Sequence, residues 1–362
     1  MRVAFYAPMK PPDHPVPSGD RSVARRLMQA LAGAGHRVEL ASRFQSRDGG
    51  GDRERQELLR QMGQRLADKL IGRLRAAPPD AWLTYHCHHK APDWLGPRVA
   101  GALAIPYLIV EASHAAKRDG GPWAIGQRGA AAAILAADAH LLLNASDREG
   151  LLRLGVEAGR LVPLRPFLDP APYLAAPRGA NAVPLLLAVG MFRNGDKLAS
   201  YRALGRALAL LQDRPWRLAV VGDGPARPAV EAALAPLGGR VDWRGALPAE
   251  ALPGVYAEAD LMVWPAVGEA IGMALLEAAA AGTPAVSVAA RGVPDVVADQ
   301  VTGLLVPPED DAAFAAAVAS LLDDPGRRQA LAAACRPHVA AHHGLDAAAG
   351  VLDATLRRLV AR

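Results

Sequence analysis

One stretch, residues 267–284 (VGEAIGMALLEAAAAGTP), constrains what this chain can fold into more than any other. Just upstream, residues 259–265 carry the apolar run and proline stop of a buried strand, and residues 284–288 read as the next strand. Between them the loop Gly268-Glu269 leads into an alanine-rich helix. Gly282 suits the left-handed residue that closes a helix, and Pro284 forbids continuation. Strand, acidic loop, capped helix and strand make a βαβ unit. Its helix opens at the carboxyl end of a parallel sheet, where free N–H groups and the helix dipole favour a phosphate.

Glu269 precedes this helix and Glu277 lies about two turns into it, so the two carboxylates flank an anion site rather than occupy it. Like charge keeps them off a phosphate, but an ionised carboxylate accepts hydrogen bonds from neighbouring diols. A ligand with a diphosphate between two sugars, a sugar nucleotide, fits this layout. Two glutamates eight apart are also common on solvated surfaces, so the surrounding pattern has to decide.

A chain of 362 residues is too long for one small core and fits two domains. With 21% charged and 51% apolar residues it is globular rather than disordered, although alanine supplies much of the apolar share. A strand-like run at residues 2–6 leaves no room for a signal peptide, and no apolar run approaches the roughly 20 residues of a membrane helix. Cys87 and Cys335 are far apart and form neither a disulfide framework nor a zinc motif, so a cytoplasmic setting is expected. Residues 1–176 carry 24 basic against 17 acidic side chains, and the remainder 17 against 19. A basic first half admits an anionic membrane surface or an acidic partner, and equally a solvated face. Aromatics at 5% are too few for base-stacking platforms, and no nucleic-acid motif is present.

Along the first half, a strand at 3–7 runs into a proline-rich loop containing Gly19, then a helix over 22–34 with Val23, Leu27 and Leu31 in register. The loop lacks G-x-G-x-x-G and so reads as a pocket wall or acceptor site, not a dinucleotide fingerprint. Residues 54–76 form a helix with Leu58, Met62, Leu66, Leu70 and Leu74 as its apolar stripe and Arg60, Arg65, Lys69, Arg73 and Arg75 mainly elsewhere. It reads as a crossover helix packed on the sheet, with peripheral contact to the inner face of a membrane as the other use of such a helix. The run Tyr85-His86-Cys87-His88-His89-Lys90 invites a metal. Strand alternation parts His86 and His88 from Cys87 and His89, however, and no carboxylate stands at ligand spacing, so no metal site is expected. His114, just past the strand at 105–111, is the best catalytic-side candidate in this half.

Pro163, Pro166, Pro170, Pro172, Pro177 and Pro184 then mark a linker over 166–184. The second half alternates strand and helix again. A strand at 185–189 is followed by Gly190-Met191-Phe192-Arg193-Asn194-Gly195-Asp196-Lys197, and a strand at 217–221 by the turn Gly222-Asp223-Gly224-Pro225. The alternation predicts two doubly wound α/β domains, 1–165 and 185–340, with a helix in 341–362 returning to pack on the first.

Six ordered blocks now stand together: Val189-Gly190 with Arg193 and Lys197; residues 220–225 (VVGDGP); Trp243-Arg244-Gly245; Glu269 to Glu277 with Gly282-Thr283-Pro284; residues 291–295 (RGVPD); and residues 302–306 (TGLLV). In this order, from 185 to about 310, the second half resembles the retaining glycosyltransferases of family 4, which have the GT-B fold of two Rossmann-like domains facing across a cleft. The resemblance implies that Glu269 holds hydroxyls of the donor sugar and Glu277 the nucleotide ribose. It implies that Lys197 and Arg193 neutralise the diphosphate, with backbone groups of Gly272, Met273 and Ala274, and that the Gly222 turn lies on the donor side. The family places arginine directly behind the glycine. Here Met191 fills that position, Arg193 comes two later and the lysine is one residue late.

The first half resembles the family more loosely, as an acceptor domain, through the Gly19 loop, His114 and residues 138–146. His114 would orient the phosphate or the donor sugar. The implied reaction moves a hexose, with retention, from a UDP- or GDP-sugar to an acceptor hydroxyl on a saccharide, glycolipid or small metabolite, in glycan or glycolipid biosynthesis. No Asp-x-Asp motif is present, so neither metal nor cofactor is expected. Three other readings compete: an epimerase or phosphorylase on the same architecture, a non-catalytic nucleotide-binding member, and an NAD-dependent oxidoreductase. Arg227 stands where the last reading needs its third glycine.

Overall fold

Met1–Arg165 together with the residues from Leu345 onward form one unit, and Pro166–Gly344 a second, each built on a six-stranded parallel sheet. The structure, a computed structural model, describes residues 1–16, 18–179 and 181–361.

Unit 1 runs β1 (Arg2–Tyr6), α1 (Gly19–Gly33), β2 (Arg37–Ser42), α2 (Arg53–Leu74), β3 (Ala81–Cys87), α3 (Gly96–Leu103), β4 (Tyr107–Ala112), α4 (Ala124–Ala136), β5 (Ala139–Leu142), α5 (Asp147–Leu154) and β6 (Leu161–Pro163). The strands lie in the order β2-β1-β3-β4-β5-β6, so the order reverses between β1 and β3. β1, β3, β4 and β5 are buried along nearly their whole length, as a parallel sheet covered on both faces requires. Helix α1 starts three residues before the expected position because Ser18 caps it, accepting from the Arg21 amide at 3.2 Å.

Helix α2 faces the core differently from the expected stripe. Gln56, Leu59, Gly63, Ala67 and Leu70 are buried, whereas Leu58 and Met62 are 57% and 46% exposed. Residues spaced strictly by four advance 400° per step and drift around the helix, so a stripe of five such positions cannot all face one sheet.

His140 on β5 has a wholly buried imidazole, and desolvation, with the Arg160 charge adding, pulls its pKa from 6.5 to about 4. A histidine with a depressed folded pKa stabilises above its unfolded pKa and loses that stability as pH falls. Acidification from pH 6.5 to about 4 should therefore cost roughly 3 kcal/mol through this residue. Urea melts at the two pH values check this. His140→Leu should flatten that part of the pH dependence.

Unit 2 runs α6 (Ala171–Ala175), β7 (Leu185–Val189), α7 (Asp196–Ala209), β8 (Arg217–Val221), α8 (Arg227–Leu234), β9 (Val241–Gly245), α9 (Leu252–Glu258), β10 (Leu261–Val263), α10 (Met273–Ala280), β11 (Ala285–Val288), β12 (Gly303–Val306), α11 (Asp311–Asp323) and α12 (Pro325–His342). The strand order is β12-β11-β10-β7-β8-β9, which reverses between β7 and β10. The segment 166–184, expected as a linker, belongs to this unit. Leu168 and Tyr173 are buried in its core, and the Arg178 guanidinium donates to the Gly282 carbonyl and, at 3.1 Å, to Thr283 Oγ1. Proline stops regular structure there but does not prevent packing.

The last helix, α13 (Leu345–Val360), returns to unit 1 and packs on α1 through a face that includes Ala348, Leu352, Leu356 and Leu359. It starts at Leu345, and residues 341–344 stay with unit 2.

Candidate functional site

In an open α/β sheet the loops at the order reversal diverge and leave a crevice at the carboxyl ends of the strands. In unit 2 the strands beside that reversal are β7 and β10, and the segments that follow them carry Lys197 and Glu269. Lys197 lies in the first turn of α7, behind Gly195 at φ +81°. Glu269 lies in the loop from β10 to α10. The Lys197 ammonium bonds Glu269 Oε2, and the same oxygen accepts from Trp264 Nε1 at 3.5 Å. The Trp264 ring centroid is 5.4 Å from Lys197 Nζ. Lys197 is 28% and Glu269 20% exposed, so both charges are reachable from solvent.

Glycines let the loops come this close. A Cβ on Gly268 would overlap the Asp196 carboxylate at the start of α7, and one on Gly222 would overlap the Gly190 carbonyl. Gly272, at φ +80°, is the N-cap of α10 and supplies no side chain to its first turn, so no side-chain cap competes for the amides that begin at Met273 and Ala274. The other end of α10 closes as expected. Gly282 takes φ +86°, and the amides of Gly282 and Thr283 bond the carbonyls of Ala279 at 2.9 Å and Ala278 at 2.8 Å.

Glu277 accepts from the Tyr256 hydroxyl at 3.0 Å. Burial, with the Glu277 charge adding, raises the Tyr256 pKa well above 10, so the phenol stays a donor and holds the carboxylate in place. Lys197 and Glu269 thus meet beside the start of α10, where a Cβ on Gly272 would lie 3.8 Å from Glu269 Cγ, while Glu277, further along α10, is held by Tyr256. Arg193 is exposed, its backbone bonds Met191 and Leu198, and the structure does not bring it into the Lys197–Glu269 pair. The sequence reading passed over Trp264 and Tyr256. Their signal was the aromatic at the end of β10 and the tyrosine on the preceding helix.

In unit 1, Gly19 is exposed in the first turn of α1. The His114 side chain is 8% exposed, with Nε2 2.7 Å from Gln127 Nε2 and 3.8 Å from Asp119 Oδ1. A different cluster sits at this sheet's reversal. His86, next to last in β3, takes φ +63°, and Glu111, next to last in the adjacent β4, takes φ +58°. His86 Nδ1 is 2.8 Å from Asp20 Oδ1, and its Nε2 is 4.0 Å from Glu111 Oε1. Burial would lower the His86 pKa, but the carboxylates of Glu111, Asp20 and Asp147 outweigh it and bring it to about 9. Burial and Glu111 push Asp147 up to about 6. The left-handed residue at His86 breaks the strand alternation on which the sequence reading sorted these histidines.

Residues 183–324 match the family described as glycosyl transferases group 1. This match falls within unit 2. The crevice with Lys197, Glu269 and the open end of α10 lies inside this matched region. The chain is 32% identical over 183 residues to alpha-D-kanosaminyltransferase of Streptomyces kanamyceticus, covering 50% of this chain and 47% of that protein. It is 35% identical over 232 residues to D-inositol 3-phosphate glycosyltransferase of Kineococcus radiotolerans, covering 55% and 52%. The chain thus spans about half the length of the curated relatives it matches.

Across both units the chain shares its fold with solved structures. Sucrose-phosphate synthase from Thermosynechococcus elongatus superposes with a TM-score of 0.76 at 22% identity, over 99% of each chain. Anabaena HepE in complex with UDP and glucose gives 0.69 at 16%, over 99% of this chain and 100% of the other. The fold is GT-B, with two Rossmann-like units.

Proposed function

We propose that the protein is a retaining hexosyltransferase of family 4 that moves a sugar from a UDP- or GDP-sugar to an acceptor hydroxyl in glycan or glycolipid biosynthesis. One observation carries this reading: Lys197, Glu269 and the uncapped start of α10 converge at the strand-order reversal of unit 2. The diphosphate takes the α10 amides and Lys197. Glu269, released from the lysine, accepts from the donor-sugar hydroxyls, and Glu277 takes the ribose. Arg193, exposed beside this edge, closes on the diphosphate when the donor binds.

As the bond to the leaving phosphate breaks, negative charge grows on the diphosphate, and a fixed cation with helix N–H groups stabilises that charge more than the ground state. The departing phosphate takes the acceptor proton, so no enzyme nucleophile is needed. The lysine and helix terminus supply the positive charge that a metal would otherwise bring, and transfer proceeds without metal or cofactor. UDP is the first nucleotide to test, because HepE, of the same fold, is solved with UDP and glucose.

His114 and the Gly19 loop serve the acceptor side. The basic, partly apolar outer face of α2, with Leu58 and Met62 exposed, supports peripheral contact with the inner face of a membrane. No described helix is long and apolar enough to cross one.

Thermal unfolding against a panel of UDP-, GDP-, ADP- and TDP-sugars, in EDTA, tests the donor site. The matching donor at about a hundred times its Kd should stabilise by ~2.7 kcal/mol. The effect should shrink in Lys197→Ala. Silence across the panel with a response to NADH would overturn the reading.

A further inference from the structure

We propose that His86 and Glu111 form a hydroxyl-reading pair that binds a neutral polyhydroxylated acceptor ring in unit 1 and disfavours an ammonium at the same spot. The inference rests on the glycosyl-transfer reading and names the acceptor chemistry within it. Its first support is position. Asp20 lies in the first turn of α1, the helix after β1, and His86 and Glu111 are next to last in β3 and β4, so the group stands at the strand-order reversal of the first sheet, where α/β folds bind ligands.

Its second support is an unfilled hydrogen-bonding gap. His86 Nδ1 is committed to Asp20 at 2.8 Å, while Nε2 and Glu111 Oε1 stand 4.0 Å apart, too far to bond each other. An oxygen placed about 2.8 Å from each bridges them. Glu111 Oε2 is buried with no hydrogen-bond partner among the described residues, which leaves that carboxylate further capacity to accept.

The chemistry of the two sides then selects the ligand. Glu111, Asp20 and Asp147 together keep His86 protonated at neutral pH, so Nε2 carries a proton to donate. A hydroxyl accepts that proton's hydrogen bond through a lone pair and donates its own to Glu111. An ammonium has no lone pair for Nε2–H and would set a second positive charge beside the imidazolium. Tyr85 is buried beside Glu111 and stays neutral, burial and then Glu111 raising its pKa well above 10. Lys10 acts on Asp20 and Arg26 on Tyr85, each as a minor influence.

The test uses the full chain with myo-inositol as a neutral ring polyol, its binding read by saturation-transfer NMR with and without UDP. Wild type should bind the polyol. His86→Asn, which tolerates a left-handed backbone, and the near-isosteric Glu111→Gln should each weaken it by about ten- to a hundredfold. UDP binding should stay unchanged in each folded variant. Should His86→Asn fail to fold, Glu111→Gln carries the test, joined by the 15N signals of the wild-type imidazole. Both His86 nitrogens should read as protonated at pH 7.5, and Nε2 should shift on adding myo-inositol.

Absence of polyol binding to wild type, unchanged affinity in a folded Glu111→Gln, or an Nε2 signal indifferent to the polyol would each overturn the proposal. Lys197→Ala separates the two readings. Weaker UDP binding there with polyol binding retained supports both, whereas polyol binding without any nucleotide response sinks the transferase reading and leaves this site standing.

Discussion

Replacing Lys197 with alanine should lower kcat for sugar transfer by about 10²–10³-fold, the usual effect of removing one group aimed at a developing oxyanion. The effect is electrostatic. In the proposed reaction the charge that Lys197 would neutralise is larger on the departing diphosphate than on the bound donor, so its loss should raise the barrier more than it weakens binding. In the free protein Glu269 holds the ammonium and the Trp264 ring lies 5.4 Å from it, which positions the cation before any donor arrives. Lys197→Arg keeps the charge but changes its reach and should recover part of the rate. Steady-state kinetics decide the matter. A rise in KM with kcat untouched would mean that the lysine serves only ground-state binding. Stability should change by no more than about 1 kcal/mol, since both partners are partly exposed.

The second large effect is expected at Gly292, a residue that touches none of the charged groups. Its φ of −84° suits any amino acid, so the constraint there is contact and not conformation. An added Cβ would overlap the Ala270 carbonyl oxygen, lie 2.8 Å from the Ala270 carbonyl carbon and 3.1 Å from Ile271 Cα. All three are backbone atoms of the segment joining Glu269 to Gly272 and have no rotamer by which to escape. Gly292→Ala should therefore destabilise the protein by about 1–3 kcal/mol. It should also push this segment away from its place, weakening donor binding with Lys197 and Glu269 both intact. Gly254 on α9 is the control, because a Cβ there meets nothing within 4 Å. Gly254→Ala should be neutral or stabilising by up to about 1 kcal/mol. Denaturant melts and nucleotide titrations on the two variants check the contrast. Equal behaviour would remove the steric argument.

The features read correctly from the sequence are those whose cause is local. The closure of α10 at Gly282 needs only a residue that accepts φ +86° where the helix stops, and that requirement is written at one position. The alternation of strands and helices follows from apolar periodicity over a few residues, and it was enough to predict two doubly wound domains. Lys197 and Glu269 were singled out by their order among motif blocks. Their direct bond joins residues 72 apart in sequence and exists because β7 and β10 are neighbours in the sheet.

The misreadings have the opposite character. Leu58 and Met62 are apolar at helical spacing yet exposed, since which side of α2 meets the sheet is set by where the sheet lies. The proline-rich segment 166–184 looked like a free linker, but Leu168 and Tyr173 are buried because a core was available beside them. Glu111 read as the last residue of a strand, and His86 as one of several strand histidines. By itself the sequence determined the elements and their order, consequences of short-range sterics and periodicity. Only the tertiary structure decided which faces are buried and which distant charges meet, because those depend on strand order, and strand order is a property of the whole sheet.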